Sequence, residues 1–302
     1  MEIYDLIQRM SIGHIIVTYE LLEDGVLPSF KGSTFRGLMG HALRETACPS
    51  CAEGGNSECL YGKGCMYKQI FESPNLQGGF APHPFVMRCN DYRTEWKAGD
   101  RISFELITIS FLNDMTPELC QCFEKMGQIG LGASRLAAKL KKVEAYNDEQ
   151  ITSSIYIDGN IECKKIPAKQ LELEERNEVI IEFITPARIT HQGRLQKTLT
   201  YSIIMKSITS RVNQIASHYY PELYVNIRAE QDVVANKVYD FLQAASIERY
   251  SNRKSQKMRL DGLIGLQKYE GTRETYHLLK FAELIHIGKS TSMGFGKIKI
   301  WK

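Results

Sequence analysis

The feature that most restricts how this chain can fold is its closing segment, His286-Ile-Gly-Lys-Ser-Thr-Ser-Met-Gly-Phe-Gly296. An apolar stretch with helical spacing runs into Gly288, small and hydroxyl residues with one lysine follow, and Lys297-Ile-Lys-Ile-Trp301 then alternates as a strand does. Helix, glycine loop, strand is the reverse of a P-loop or dinucleotide fingerprint, which argues against a nucleotide cofactor. Glycine lets backbone N–H groups approach a ligand closely. Lys289, Ser290, Thr291 and Ser292 add a charge and three hydroxyls, a combination suited to a nucleic-acid backbone. The arrangement occurs twice. A helix over Pro117 to Gln128 runs into Gly130-Leu-Gly-Ala-Ser-Arg135, and Leu136 to Ala145 again reads as a strand.

Two halves of one pattern follow from this repetition. In the first, His14 to Leu22 is a strand, Glu23-Asp24-Gly25 a turn, and Ser33 or Thr34 caps a helix through Ala47. Strands are expected at Phe80 to Arg88 and Arg101 to Leu112, and a hairpin over Ser154 to Cys163 turns at Asp158-Gly159. Lys164 to Glu178 is polar and glutamate-rich, as a linker is. The second half reads as a strand over Val179 to Thr185 and helices at Lys197 to Tyr219 and Glu230 to Ala245. A strand pair over Ile247 to Tyr269, with Asp261-Gly262 near its turn, precedes a helix over Tyr276 to Ile287 and the closing strand. Each half is β-α-β-β-α-β, so the expected fold is α+β, two tandem ferredoxin-like (RRM-like) domains over residues 1–170 and 178–302, with the glycine loop at 288–296.

Charge is distributed unevenly. The net charge is only +3, yet Ser246 to Lys302 carries twelve Lys/Arg against five Asp/Glu. Three stretches, Lys125 to Val143, Phe183 to Pro221 and Arg249 to Leu260, hold cations and no acid. Cations gathered this way form the footprint of a polyanion-binding surface, set against the plainer reading of a solvated face. No apolar run approaches a membrane span, and Met1-Glu2-Ile3-Tyr4-Asp5 lacks the basic start of a signal peptide, so a cytoplasmic protein with no membrane partner is expected.

On the helix after Lys31-Gly32-Ser33, Phe35, Leu38, Met39, Ala42 and Leu43 share the apolar face. The other face carries Gly37, Gly40, His41 and Arg44. Glycine costs roughly 1 kcal/mol in a helix interior, so two of them near a histidine point to close approach by another backbone. Directly after the helix come Cys48, Cys51, Cys59 and Cys65, within a Cys-rich insert at 48–67. In a cytosolic chain four cysteines so spaced suit either a structural zinc or reduced thiols.

The segments Lys31-Gly-Ser-Thr-Phe-Arg36-Gly-Leu-Met-Gly-His41-Ala-Leu-Arg44, Gly130 to Arg135, Thr185-Pro186-Ala-Arg188, Arg249-Tyr-Ser-Asn-Arg253 and His286 to Gly296 together resemble the CRISPR repeat-processing endoribonucleases of the RAMP superfamily. The resemblance runs through nearly the whole chain, in order. It implies a tandem ferredoxin-like protein that cuts precursor CRISPR RNA within its repeats without a metal, leaving a 2′,3′-cyclic phosphate. It also implies repeat RNA, and other CRISPR-associated effector subunits, as partners. Similar proteins often carry their histidine on the first helix, which falls here on His41.

The chemistry leads to the same residue. RNA cleavage without metal needs the 2′-oxygen in line with phosphorus, a base for its proton, an acid for the departing 5′-oxygen and cations for the developing charge. Imidazole serves either proton role near neutral pH. His41 stands on a polar face beside Arg44, whereas His286, at a helix end, reads as structural. His191 is an outside candidate for contacting RNA, and since some similar enzymes lack a catalytic histidine and rely on lysines and tyrosines, the resemblance makes Lys31 and Tyr19 candidate helpers. Arg36, Arg44, Arg135, Arg188, Arg194, Arg249, Arg253, Lys289, Ser290, Thr291 and Lys31 are the expected RNA-binding set. The competing readings are a non-cleaving RAMP subunit that grips RNA in an effector complex, and a zinc enzyme using the cysteines.

Overall fold

The computed structural model describes residues 3–47, 64–73, 81–147, 150–169, 175–224, 235–251 and 256–301. The chain divides into a unit of residues 11–169 and a second unit of residues 170–302 joined by residues 1–10. Helix α1 (Ile3–Arg9) therefore groups with the C-terminal half.

In the first unit β1 (Ile12–Leu21) is followed by the short β2 (Gly25–Val26), α2 (Gly32–Ala47), α3 (Met66–Phe71), β3 (Phe85–Arg88), the short β4 (Glu95–Trp96) and β5 (Arg101–Ile109). Then come α4 (Thr116–Ile129), β6 (Ala138–Asn147), β7 (Gln150–Ile157) and β8 (Asn160–Ile161). The sheet runs β3-β5-β1-β6-β7-β8 with antiparallel neighbours, so its first four strands have the ferredoxin-like order. Alternation assigns the two faces of the sheet. Ile15, Val17, Tyr19, Ile102, Phe104 and Leu106 are buried in one core with Phe35, Leu38 and Met39 of α2 and Phe123 of α4. The rings of Phe35 and Phe104 lie 4.9 Å apart, and Phe104 meets Phe123 edge-on at 5.8 Å. The opposite face presents Arg101, Ser103 and Glu105 of β5.

The second unit contains β9 (Glu178–Ala187), the hairpin β10 (Thr190–His191) and β11 (Arg194–Leu195), α5 (Tyr201–Tyr219), β12 (Asn236–Asp240), β13 (Gln243–Ser251), β14 (Gln256–Glu270), α6 (Tyr276–Ile285) and β15 (Ile298–Trp301). Its sheet runs β12-β14-β9-β15, with β13 also pairing β14, so the ferredoxin-like order recurs. Thr200 caps α5 by accepting from the Ile203 N–H at 3.3 Å.

Three expectations fail here, the first being the cap of α2: the helix begins at Gly32 and the Phe35 N–H donates to the Lys31 carbonyl at 2.9 Å, so Ser33 and Thr34 lie within it. In place of a helix at Glu230 to Ala245, Asn236–Asp240 and Gln243 onward are strands, because pairing with the long β14 overrides an apolar spacing that also fits a helix. Asp261-Gly262 is not at a turn but within β14, opposite Ser246 and Ala245. Gly262 is there for space: a Cβ would lie 2.9 Å from the Pro186 carbonyl carbon on β9.

Candidate functional site

On α2, His41 is exposed and makes no hydrogen bond or ion pair with a described residue. Gly37 precedes it by one turn, and nothing lies within 4 Å of the place a Cβ would take there, so the helix surface beside the imidazole is open. Gly40 differs, because the Phe71 ring of α3 comes within 3.4 Å of its missing Cβ. The expected close approach is thus made by a side chain of α3.

The neighbouring cations are tied to α3. The Arg44 guanidinium lies 4.3 Å from the Tyr67 ring centroid and donates to Glu72 at 3.3 Å and to the Tyr67 hydroxyl at 2.7 Å. Arg36 lies over Phe71 at 4.8 Å and meets His83 Nε2 at 2.9 Å. Arginine only donates, so His83 Nε2 accepts; its Nδ1 then carries the proton toward the Ile70 carbonyl at 3.1 Å.

Lys31 does not stand at a phosphate. It is 0% exposed, and its ammonium donates to the carbonyls of Asp91 and Arg93 at 2.7 Å each. It pins that loop from inside, and burial lowers its pKa. Tyr19 is equally unavailable as a helper, because it is buried and its hydroxyl donates to the Phe123 carbonyl at 2.8 Å.

The loop after α4 closes through Leu131 and Leu136, whose N–H and C=O groups pair at 2.8 and 2.9 Å. Arg135 is left exposed at φ 54°. Gly130 is required, since a Cβ would come 2.2 Å from the Arg135 carbonyl oxygen.

In the second unit α6 ends at Ile285, and His286 is the residue after it, buried at φ 59°, with Nδ1 3.0 Å from the Phe295 carbonyl oxygen. Its place is structural, and Phe295 packs beneath the loop. Lys289 is exposed, its N–H donating to the Arg188 carbonyl at 2.9 Å. Ser290 is partly exposed at φ 67°. Thr291 is only 5% exposed, which removes it from an RNA-facing set: the single 3₁₀ turn over Thr291–Met293 rotates it inward. The Arg188 guanidinium donates to the Asp261 carbonyl at 2.7 Å, so Arg188 and Lys289 meet through backbone at one end of β9.

Arg194 is exposed on the β10–β11 hairpin opposite His191. Arg249 is half-buried on β13 across from Met258. Arg253 and Cys48, Cys51 and Cys59 lie outside the described residues. Cys65 is buried immediately before α3. Among the described residues no group of His, Cys, Asp and Glu is placed to hold a metal ion, and no helix is long and apolar enough to cross a membrane.

Sequence reasoning missed a cluster on the outward face of the first sheet. Glu105 accepts from His14 Nε2 at 2.8 Å, from Asn90 Nδ2 at 2.6 Å and from Arg88. Burial opposes ionisation of Glu105, but His14 and Arg88 hold its pKa at about 2. His14 is pushed the other way: burial lowers its pKa despite Glu105, so it is a neutral N–H donor and Arg88 supplies the balancing charge. The only trace in sequence was a histidine opening an alternating strand.

Two β-α-β-β-α-β units, each with a glycine loop after its second helix, define a protein of the RAMP class. Residues 181–298 match the family model of the CRISPR-associated endoribonuclease Cas6, and residues 10–171 match an N-terminal domain model, AF_1859_N. Residues 181–298 thus carry a Cas6-family domain, within a chain that has the RAMP fold. Among solved structures it is similar to a chain of a partial Cas6-RT-Cas1–Cas2 complex, with TM-score 0.60, 12% identity, and coverage of 98% of this chain and 47% of that one. A Cas6 product complex matches with TM-score 0.55, 13% identity, and coverage of 96% and 100%. Thermus thermophilus Cas6 matches with TM-score 0.51, 12% identity, and coverage of 97% and 99%. At these identities the likeness is one of fold, and the chain spans about half the length of the first of these relatives. No curated protein matches the sequence.

Proposed function

We propose that this protein is a metal-independent endoribonuclease that cuts precursor CRISPR RNA within its repeats. The observation that carries the reading is His41, an exposed imidazole with no partner among the described residues, beside open helix surface at Gly37, in a chain whose residues 181–298 match the Cas6 family model. The 2′-oxygen attacks the adjacent phosphorus and the P–O5′ bond breaks. One proton leaves the 2′-hydroxyl and one is delivered to the 5′-oxygen, giving a 2′,3′-cyclic phosphate and a free 5′-hydroxyl. His41 handles one of these protons, a role worth roughly 10²- to 10⁴-fold in rate. The exposed Lys289, Arg135 and Arg194 hold phosphates.

The product is guide RNA. The partners are repeat RNA and other CRISPR-associated proteins, in keeping with the Cas6-RT-Cas1–Cas2 complex of the similar chain, and the work is done in the cytoplasm. A structural zinc on Cys48, Cys51, Cys59 and Cys65 belongs to the proposal, and stoichiometric zinc in purified protein is its test.

Repeat RNA incubated with protein in excess EDTA tests the chemistry. Cleavage to a cyclic phosphate by wild type, with at least a hundredfold loss in His41→Ala and RNA binding retained, is the expected result. Binding by wild type without cleavage would instead define a non-cleaving RNA-binding subunit.

A further inference from the structure

The outward face of the first sheet holds a cavity of about 510 Å³ that no step of the proposed cleavage uses. Ile16 of β1 and Ser103 and Glu105 of β5 line it, with Asn90, Tyr92 and Arg101 around them. Its size falls within the range of small-ligand sites.

The polar groups here have a determinate donor pattern. Glu105 only accepts when ionised, so the Asn90 amide must turn its NH₂ toward Glu105 Oε1 at 2.6 Å, which leaves the Asn90 carbonyl oxygen unused. Oε2 already takes His14 and Arg88, while Oε1 keeps one lone pair. Two acceptors therefore stand side by side, the Asn90 carbonyl and Glu105 Oε1. His14 and Arg88 hold the carboxylate from behind, and His14 is itself 5% exposed.

The remaining groups are those a nucleotide needs. Tyr92 is 53% exposed, leaving ring surface on which a base can stack. Arg101 is exposed and makes no ion pair with a described residue, so its guanidinium can meet a phosphate even with Glu20 opposite it in register. Asp91, also at the wall, is neutralised by Arg93 at 2.7 Å and does not repel one. Of the four RNA bases only guanine presents two adjacent donors, N1–H and N2–H₂, on its Watson–Crick edge. Adenine and cytosine present one donor group beside an acceptor, and uracil one donor between two acceptors.

We propose that this recess seats a single unpaired guanosine of the bound RNA, its N1–H and N2–H₂ donating to Glu105 and Asn90, its base against Tyr92 and its phosphate at Arg101. The assignment rests on the RNA-processing reading for its macromolecule, but not on cleavage.

Fluorescence anisotropy on the full chain tests it with a labelled short oligouridine carrying or lacking one central guanosine. The guanosine should tighten binding roughly tenfold. Asn90→Ala should erase that gain and leave oligouridine affinity unchanged, while Arg101→Ala should weaken both oligomers equally. GMP, but not AMP, CMP or UMP, should compete on wild type, a measurement that needs no variant to fold. Equal affinity for the two oligomers, an equal gain from adenosine, or a guanosine gain that survives Asn90→Ala overturns the proposal. If guanosine is preferred but repeat RNA is never cut, the recess stands and the nuclease reading falls; cleavage without guanosine preference gives the reverse.

Discussion

The glycine loop at 130–135 closes on itself, whereas the loop at 288–296 is fastened to another strand. In the first, the close approach at Gly130 is to Arg135 of the same loop, and Leu131 and Leu136 complete the ring. In the second, the Gly288 Cβ position is 2.7 Å from the Arg188 oxygen, Gly296 donates to the Pro186 carbonyl at 3.2 Å, and Thr185 bonds Gly294 and Lys297 at 2.7 and 2.9 Å. Equivalent places in two units of one topology thus rest on different physics. The first loop's backbone bonds are local, and its outside ties are through side chains: Ser134 donates to the Val26 carbonyl at 3.4 Å, and Leu131 and Leu136 are buried in the core. The second is part of the core of its unit, with His286, Thr291 and Phe295 buried within it. Only a few of its side chains, Lys289 foremost, remain for a ligand.

The sharpest way to break this comparison is Gly296→Ala. Its Cβ would fall 1.8 Å from the Ile287 oxygen at φ 68°, so thermal denaturation should show a loss on the order of 4 kcal/mol, or no folded second unit. A variant melting like wild type would show that the loop is not held as described.

Acid separates the units next. Glu105 in the first unit has a folded pKa of about 2 against an ordinary 4.5, so its contribution is present above pH 4.5 and lost as pH falls toward 2. His14, lowered from 6.5, acts in the same direction: below pH 6.5 the unfolded chain takes up a proton that the folded chain refuses. Stability of residues 11–169 should therefore fall progressively from pH 6.5 downward. Glu105→Gln should cost about 3 kcal/mol at pH 7 and flatten the acid limb below pH 4.5. Hydrogen exchange resolved by unit measures both, and an unchanged acid limb in the variant would remove Glu105 from the account.

The smallest expected effects are those of the two loop cations. Lys289→Ala and Arg135→Ala should each weaken RNA binding evenly across sequences and reduce the salt slope by about 1, with melting unchanged. A slope altered by only one of them would show that just one loop meets the phosphate chain.

Much of the fold was legible because its signals are local. Alternation marked β1, β5, β6 and β9; helical spacing marked α2, α4 and α6; and glycines marked both loops. Reading failed where two periods fit one stretch, as at Asn236–Asp240. The site was less legible. A lysine before a helix and a threonine in a glycine loop look like phosphate ligands in any sequence, yet Lys31 and Thr291 turn inward.

The sequence alone determined the order of helices and strands, the positions of the loops and the polar face that carries His41, since each depends on residues within a few positions of one another. Tertiary structure alone decided which cations are occupied and which polar groups meet. Strand pairing brings His14 to Glu105, 91 residues later, and α3 takes up Arg36 and Arg44. Burial and hydrogen bonding are properties of what packs against a residue, and those neighbours lie far along the chain.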